Sequence, residues 1–151
     1  MILDIKTLAD SFIENVRNTV KNLKDQPHLT IIRVGENSAS EVYVRNKIKT
    51  CESVGIKSTL FHPPETITQS ELARYIQAIN NDVSVHGILV QSPLPSHINA
   101  QEIFDLIDYR KDVDGFSSIN TARLYSGDEN GLIPGTPKGI MKILENHGAI
   151  A

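Results

Sequence analysis

At 151 residues, 40% hydrophobic and 22% charged, the chain has material for one globular domain with an ordinary core. A net charge of −3 gives it no electrostatic reason to seek nucleic acid or an anionic membrane. Residues 1–6 show neither a leader nor an apolar run long enough to span a bilayer, and the single Cys51 excludes an internal disulfide, so a cytoplasmic chain is expected.

Residues 6–23, with Ile5 before them, place Leu8, Phe12, Val16, Val20 and Leu23 at helical spacing, which predicts an amphipathic helix covering a sheet and ending at Asp25-Gln-Pro27. Residues 29–34 are a β-branched run before Gly35, the mark of a strand covered on both faces. Ser38-Ala-Ser-Glu41 reads as a capping box opening a helix that Gly55 closes. On that helix Val44, Ile48 and Cys51 form an inward stripe, while Glu41, Arg45, Lys49 and Glu52 form a wet face. Lys47 falls beside Tyr43 and close to the stripe. An amine held there loses water, which disfavours its charged form and suits a base; the bland alternative is a lysine that lays its stem on apolar surface and snorkels.

Residues 56–62 predict a second strand, stopped by Pro63-Pro64. Thr68-Gln-Ser-Glu71 is a second capping box, ahead of Leu72, Ile76 and Ile79, and Asn80-Asn-Asp82 breaks the helix. Residues 85–90 are the most apolar strand and are expected at the centre of the sheet. Gln91-Ser-Pro-Leu-Pro95 leaves the sheet, and Asn99 starts a helix through Ile103, Leu106 and Ile107. Residues 117–135 read as a long functional loop with one short helix near 122–125. Thr136 then caps a helix over 138–146, with Pro137 at its first position and Gly148 past its end.

Alternating strands and helices predict an α/β fold, a three-layer αβα sandwich with a mostly parallel sheet and right-handed crossovers. Ligands of such sheets sit beyond the carboxyl ends of the strands, where residues 35–47, 91–95 and 112–114 converge. No Gly-x-Gly-x-x-Gly and no Gly-x-x-x-x-Gly-Lys occurs, so there is no recognisable phosphate cradle. Asp112-Val-Asp114-Gly115 begins like a calcium loop, but Phe116 stands at the third ligand position, and the five histidines lack metal-ligand spacing; no metal is expected. Taken singly, Gln91 is as readily a strand-end cap as a ligand contact, Asp112 and Asp114 are turn carboxylates, and Pro93 and Pro95 are rigid loop. Together, an amide near Lys47 and a carboxylate across the rim fit a cationic, amide-bearing heterocycle.

Four stretches in register, Val34-Gly-Glu-Asn-Ser-Ala-Ser-Glu-Val-Tyr-Val-Arg-Asn-Lys47, Gly87-Ile-Leu-Val-Gln-Ser-Pro-Leu-Pro95, Lys111-Asp-Val-Asp-Gly-Phe116 and Pro134-Gly-Thr-Pro-Lys-Gly-Ile-Met141, resemble the bifunctional methylenetetrahydrofolate dehydrogenase/methenyltetrahydrofolate cyclohydrolases along the whole chain. The resemblance implies that Tyr43 positions or stacks on the folate and that Lys47 is the central catalytic residue. It implies that Gln91 hydrogen-bonds Lys47 to hold a useful protonation state, and that Asp114 anchors the pterin edge in a pocket lined by Val90, Ser92 and Pro93. The implied activity is oxidation of methylenetetrahydrofolate and hydrolysis of the methenyl product to formyltetrahydrofolate. Two departures stand out: the family commonly has Leu where Ser92 stands and Cys where Gly135 stands.

Family members continue past the equivalent of Ala151 into a Rossmann domain for NAD or NADP and a last helix that packs back on the first. Residues 1–151 are thus expected to be the folate-binding catalytic domain with the start of a linker helix at 136–147, without the dehydrogenase activity on its own, with an apolar patch exposed where that last helix would lie and a homodimer expected for the full-length parent. The alternatives are a non-catalytic folate-binding or regulatory module, and a flavodoxin-like or receiver-like domain, whose acidic cluster at the strand ends is missing here.

Overall fold

The computed structural model describes residues 5–149, so residues 1–4 of the stretch read as lacking a leader lie outside it. Nine elements follow in order: α1 (Ile5–Lys21), β1 (His28–Ile32), α2 (Ser38–Val54), β2 (Lys57–Phe61), α3 (Gln69–Asn81), β3 (Gly87–Val90), α4 (Ala100–Leu106), α5 (Ser118–Ser126) and α6 (Gly135–Asn146). The three strands are all parallel in the order β2-β1-β3, with Ile31 opposite Leu60 on one side and Leu89 on the other.

Alternation along the strands builds the sandwich. Ile32, Ile88 and Val90 join Leu72, Ile76 and Ile79 of α3 and Ile103 of α4 in the larger core, while Ile31 and Leu89 turn to the opposite face and meet Val44 and Ile48 of α2. Burial of these aliphatic side chains is the main stabilising term, roughly 1.5–3 kcal/mol for each fully buried one.

β1, not β3, is central. β3 is nonetheless buried throughout because residues 111–113 cover its outer edge: the Ile88 N–H donates to the Lys111 carbonyl (2.7 Å), and Ile88 and Asp112 form a parallel bridge. Hydropathy reports burial, and a covered edge looks like a centre.

Helix starts also differ from the sequence reading. The cap of α2 is Asn37, whose side chain accepts from the Ser40 N–H (2.9 Å); Ser38 is already helical, and Glu41, instead of reaching back to a cap, lies 3.8 Å from Arg33. α3 does have the predicted capping box, with the Glu71 N–H on Thr68 Oγ1 and the Thr68 N–H on Glu71 Oε2. Gly55 ends α2 at φ +85°, its N–H donating to the Cys51 and Glu52 carbonyls.

Residues 117–135 contain a nine-residue helix rather than a short one, because its anchors are polar and leave no apolar period: Ser117 caps it, and Asp105 accepts from the Ser118 N–H (2.6 Å) and hydroxyl (2.9 Å). α6 begins at Gly135, with Pro134 at the cap position and no side-chain cap bond, so Thr136 lies inside the helix. Pro137 is tolerated there because the first-turn N–H groups have no intrahelical partner.

α1 buries none of its side chains and makes its main contact with α2, so it does not cover the sheet as expected. Arg17 Nε donates to the Ser53 carbonyl (3.1 Å) and Gln26 Nε2 to the Gly55 carbonyl (2.9 Å). Ile5, Phe12 and Val16 of α1 and Ile140 and Met141 of α6 are exposed. No helix among the described residues is long and apolar enough to cross a membrane.

Candidate functional site

Three connections meet at the carboxyl ends of β1 and β3. The first is the turn into α2, which presents Ser40, Tyr43 and Lys47 on successive turns of one helix face. The second begins at Gln91, whose N–H continues the ladder by donating to the Ile32 carbonyl (2.8 Å). The third is the turn after the β3-covering segment, which carries Asp114.

Lys47 and Gln91 touch. Lys47 Nζ donates to Gln91 Oε1 at 3.2 Å, across 44 residues of sequence, and both side chains are half-buried. The amide of Gln91 is itself fixed: its Nε2 donates to the Ser92 carbonyl (2.8 Å), which also accepts from the hydroxyl of buried Ser40 (3.3 Å). With the amino end of Gln91 committed to that carbonyl, its oxygen end faces Lys47. Asp114 lies within electrostatic reach of this pair. Burial pushes its carboxyl above the usual carboxylate range, the positive charge of Lys47 pulls it back, and Asp112 adds to the rise.

The remaining predicted residues are placed differently. Tyr43 is 64% exposed, an open aromatic face one turn before Lys47. Val90 packs into the larger core. Ser92 is exposed, contributing its carbonyl as described, and Pro93 follows it through a cis peptide bond and lines a cleft of ≈ 310 Å³ with Val34, Gly35, Glu65 and Leu94. Cys51 is a half-buried free thiol whose pKa burial raises. Among the described residues no group of three or more His, Cys, Asp and Glu side chains gathers as a metal site would require.

Two residues of the neighbourhood escaped the sequence reading. Ser40 was visible only as part of a capping box, and its hydroxyl works in a tertiary contact instead. Asn120, fully buried, sat in a stretch read as loop. Flanked by the β-branched Ile119 and Thr121, it carried no helical signal in the sequence.

The sequence matches the model of the tetrahydrofolate dehydrogenase/cyclohydrolase catalytic domain over residues 3–114. The chain belongs to this family. It is 48% identical over 151 aligned residues to the bifunctional protein FolD of Sulfurihydrogenibium sp. (strain YO3AOP1), an alignment covering 97% of this chain and 53% of that protein. Among solved structures, the FolD methylenetetrahydrofolate dehydrogenase/cyclohydrolase of Campylobacter jejuni superposes with a TM-score of 0.95 at 45% identity, covering 98% of this chain and 54% of that one. The Trypanosoma brucei enzyme, solved with NADP and an inhibitor, superposes with a TM-score of 0.90 at 27% identity, covering 98% of this chain and 52% of that one. The chain thus spans about half the length of the curated relatives it matches.

Proposed function

We propose that this chain is the folate-binding catalytic half of a bifunctional methylenetetrahydrofolate dehydrogenase/methenyltetrahydrofolate cyclohydrolase, with Lys47 as its base, Gln91 as the residue that holds that base, Tyr43 as the stacking face and Asp114 as the anchor of the pterin edge. Val90, Ser92 and Pro93 support or line the pterin pocket in this reading. The observation that carries it is the Lys47–Gln91 contact at 3.2 Å on the same rim as a partly buried Asp114.

The chemistry follows from these groups. The methenyl carbon of the substrate is a cationic electrophile between two nitrogens. Water adds to it, forming one C–O bond, and an unprotonated Lys47 amine takes the proton released; one C–N bond then breaks to leave the formyl group, and the net proton passes to solvent. Proton transfer by a positioned group of this kind contributes typically ~10²–10⁴-fold. Tyr43 and Asp114 supply orientation, without which the water and the carbon do not meet.

Oxidation of the methylene form needs a nicotinamide as hydride acceptor. The sequence has no glycine-rich phosphate cradle, so its residues do not fit NAD or NADP by themselves, and no hydride step is assigned to them. That cofactor belongs, in this reading, to a Rossmann domain of a longer parent, which residues 136–147 join to the folate half. A cytoplasmic location and a homodimeric parent complete the reading.

The test is hydrolysis of methenyltetrahydrofolate by the purified chain with no nicotinamide added, with Lys47→Met as control. Wild-type chain should hydrolyse it and K47M should fall to background, a loss of about 10²-fold or more. Undiminished hydrolysis by K47M removes Lys47 from the mechanism. A folded wild type that binds a folate analogue in calorimetry without turnover points to the non-catalytic module instead, and one that binds none overturns the folate reading.

A further inference from the structure

Among the described residues Asp112 is as buried as any carboxylate, 2% exposed, and no cation there pairs with it. Backbone and amide donors balance its charge. Oδ1 accepts from the Gly115 N–H (3.0 Å), and Oδ2 accepts from the Ser117 N–H (2.9 Å) and Asn120 Nδ2 (3.0 Å). A buried carboxylate is tolerated only when its lone pairs are taken in this way, and such a network fixes the segments that supply the donors.

Asn120 extends the clamp. Its side chain is completely buried on α5, its Nδ2 also donates to the Tyr109 carbonyl (2.9 Å), and its Oδ1 accepts from the Leu132 N–H (3.1 Å). The donors of that amide go to Tyr109 and Asp112 in one segment, and its acceptor takes the N–H of Leu132 in another. The turn between them has no slack: Gly115 sits at φ +67°, and a Cβ there would lie 2.5 Å from the Leu132 carbonyl oxygen. Asp112 itself is pinned to the sheet through the bridge to Ile88.

The residue enclosed by these contacts is Asp114. We propose that Asp112 and Asn120 are positioning residues for the folate site, locking the turn that carries Asp114 to β3 on one side and to the segment that enters α6 on the other. Neither touches the Lys47–Gln91 pair, so they act through the place of the Asp114 carboxylate. This inference rests on the folate reading above. Because the Leu132 segment leads directly into α6, the same clamp ties the geometry of the pterin anchor to the start of the linker helix.

A double-mutant cycle tests it. Asp112→Asn keeps the shape of the side chain but puts an amide donor against N–H groups; binding of a folate analogue is measured by calorimetry for wild type, D112N, D114N and D112N/D114N, with folding checked by circular dichroism. If Asp112 acts through Asp114, D112N weakens binding tenfold or more in the wild-type background and adds less than twofold in the D114N background. In turnover, the loss should fall on KM for the folate more than on kcat. Equal losses in both backgrounds, the signature of a general structural role, overturn the proposal, as does unchanged binding by D112N. If D112N does not fold, Asn120→Ser, which keeps the carboxylate and removes the amide, carries the same cycle. Absence of analogue binding by folded wild type overturns the folate reading and this inference with it; binding by wild type with an additive cycle overturns the inference alone.

Discussion

Lys47 Nζ stands 3.2 Å from Gln91 Oε1, while the other end of the same amide is spent on the Ser92 carbonyl. The amide therefore presents a neutral acceptor that orients the amine. Gln91→Glu changes that contact, because a carboxylate makes a charge-assisted pair that keeps the proton on Lys47. Hydrolysis of methenyltetrahydrofolate at pH 7 should drop at least tenfold with the thermal midpoint maintained, as read by initial rates and a thermal melt. A Glu variant as active as wild type would show that the amine is not the base.

Asp114 is held at a cost. Its carboxyl is raised by burial more than Lys47 lowers it, so the folded-state value lies above the unfolded one. The ionised group therefore destabilises the fold at pH above both values, and the cost disappears as pH falls through the folded value to below the ordinary ~3.9 of an Asp. Asp114→Asn should raise the melting temperature by about 1–2 °C at pH 7, the effect of a fraction of a kcal/mol in a domain of this length. The gain should shrink toward pH 4, and folate binding should weaken while staying within the range that calorimetry measures. A lower melting temperature for D114N at pH 7 would contradict the sign.

Asn37 and Ser38 compete for the role of helix cap, and the structure gives it to Asn37. Asn37→Ala should cost ~1 kcal/mol, the usual loss of a side-chain cap, while Ser38→Ala should be close to neutral because Ser38 is already helical. Urea midpoints of the two variants compare them directly; the reverse ranking would restore the capping box read from Ser38 and Glu41.

Much of the fold was legible because hydrophobic period and caps are local. Leu72, Ile76 and Ile79 behind Thr68 and Glu71 define α3 completely, and Gly55 marks the end of α2 for the reason that left-handed backbone favours glycine. What was lost is tertiary. Strand order is invisible when a covering segment buries an edge as fully as a neighbour would, as happens at Ile88. α5 was undersized because Asp105 and Ser117, and not apolar residues, hold it. At the site, the motifs that carry the family resemblance contain Lys47, Gln91 and Asp114, but Asp112 and Asp114 cannot be told apart from spacing: one is satisfied by buried N–H donors and the other is left partly facing the rim.

The pairing of β1 with β3 sets when these parts can meet. The His28 N–H and the ring of His86 are in contact across 58 residues, and parallel pairing needs that whole excursion, with β2 and α3 inside it, to close first. Non-local contacts of this kind slow folding. During synthesis, a chain that has emerged only as far as α3 already has α2 with its Val44 and Ile48 stripe, but neither Leu89 to cover that stripe nor Gln91 to receive Lys47. The lysine gains its partner only when β3 docks, so the Lys47–Gln91 pair forms in the same event that seals the apolar face, and a chain stalled before that event leaves both the lysine unpartnered by Gln91 and the Val44 stripe uncovered by Leu89.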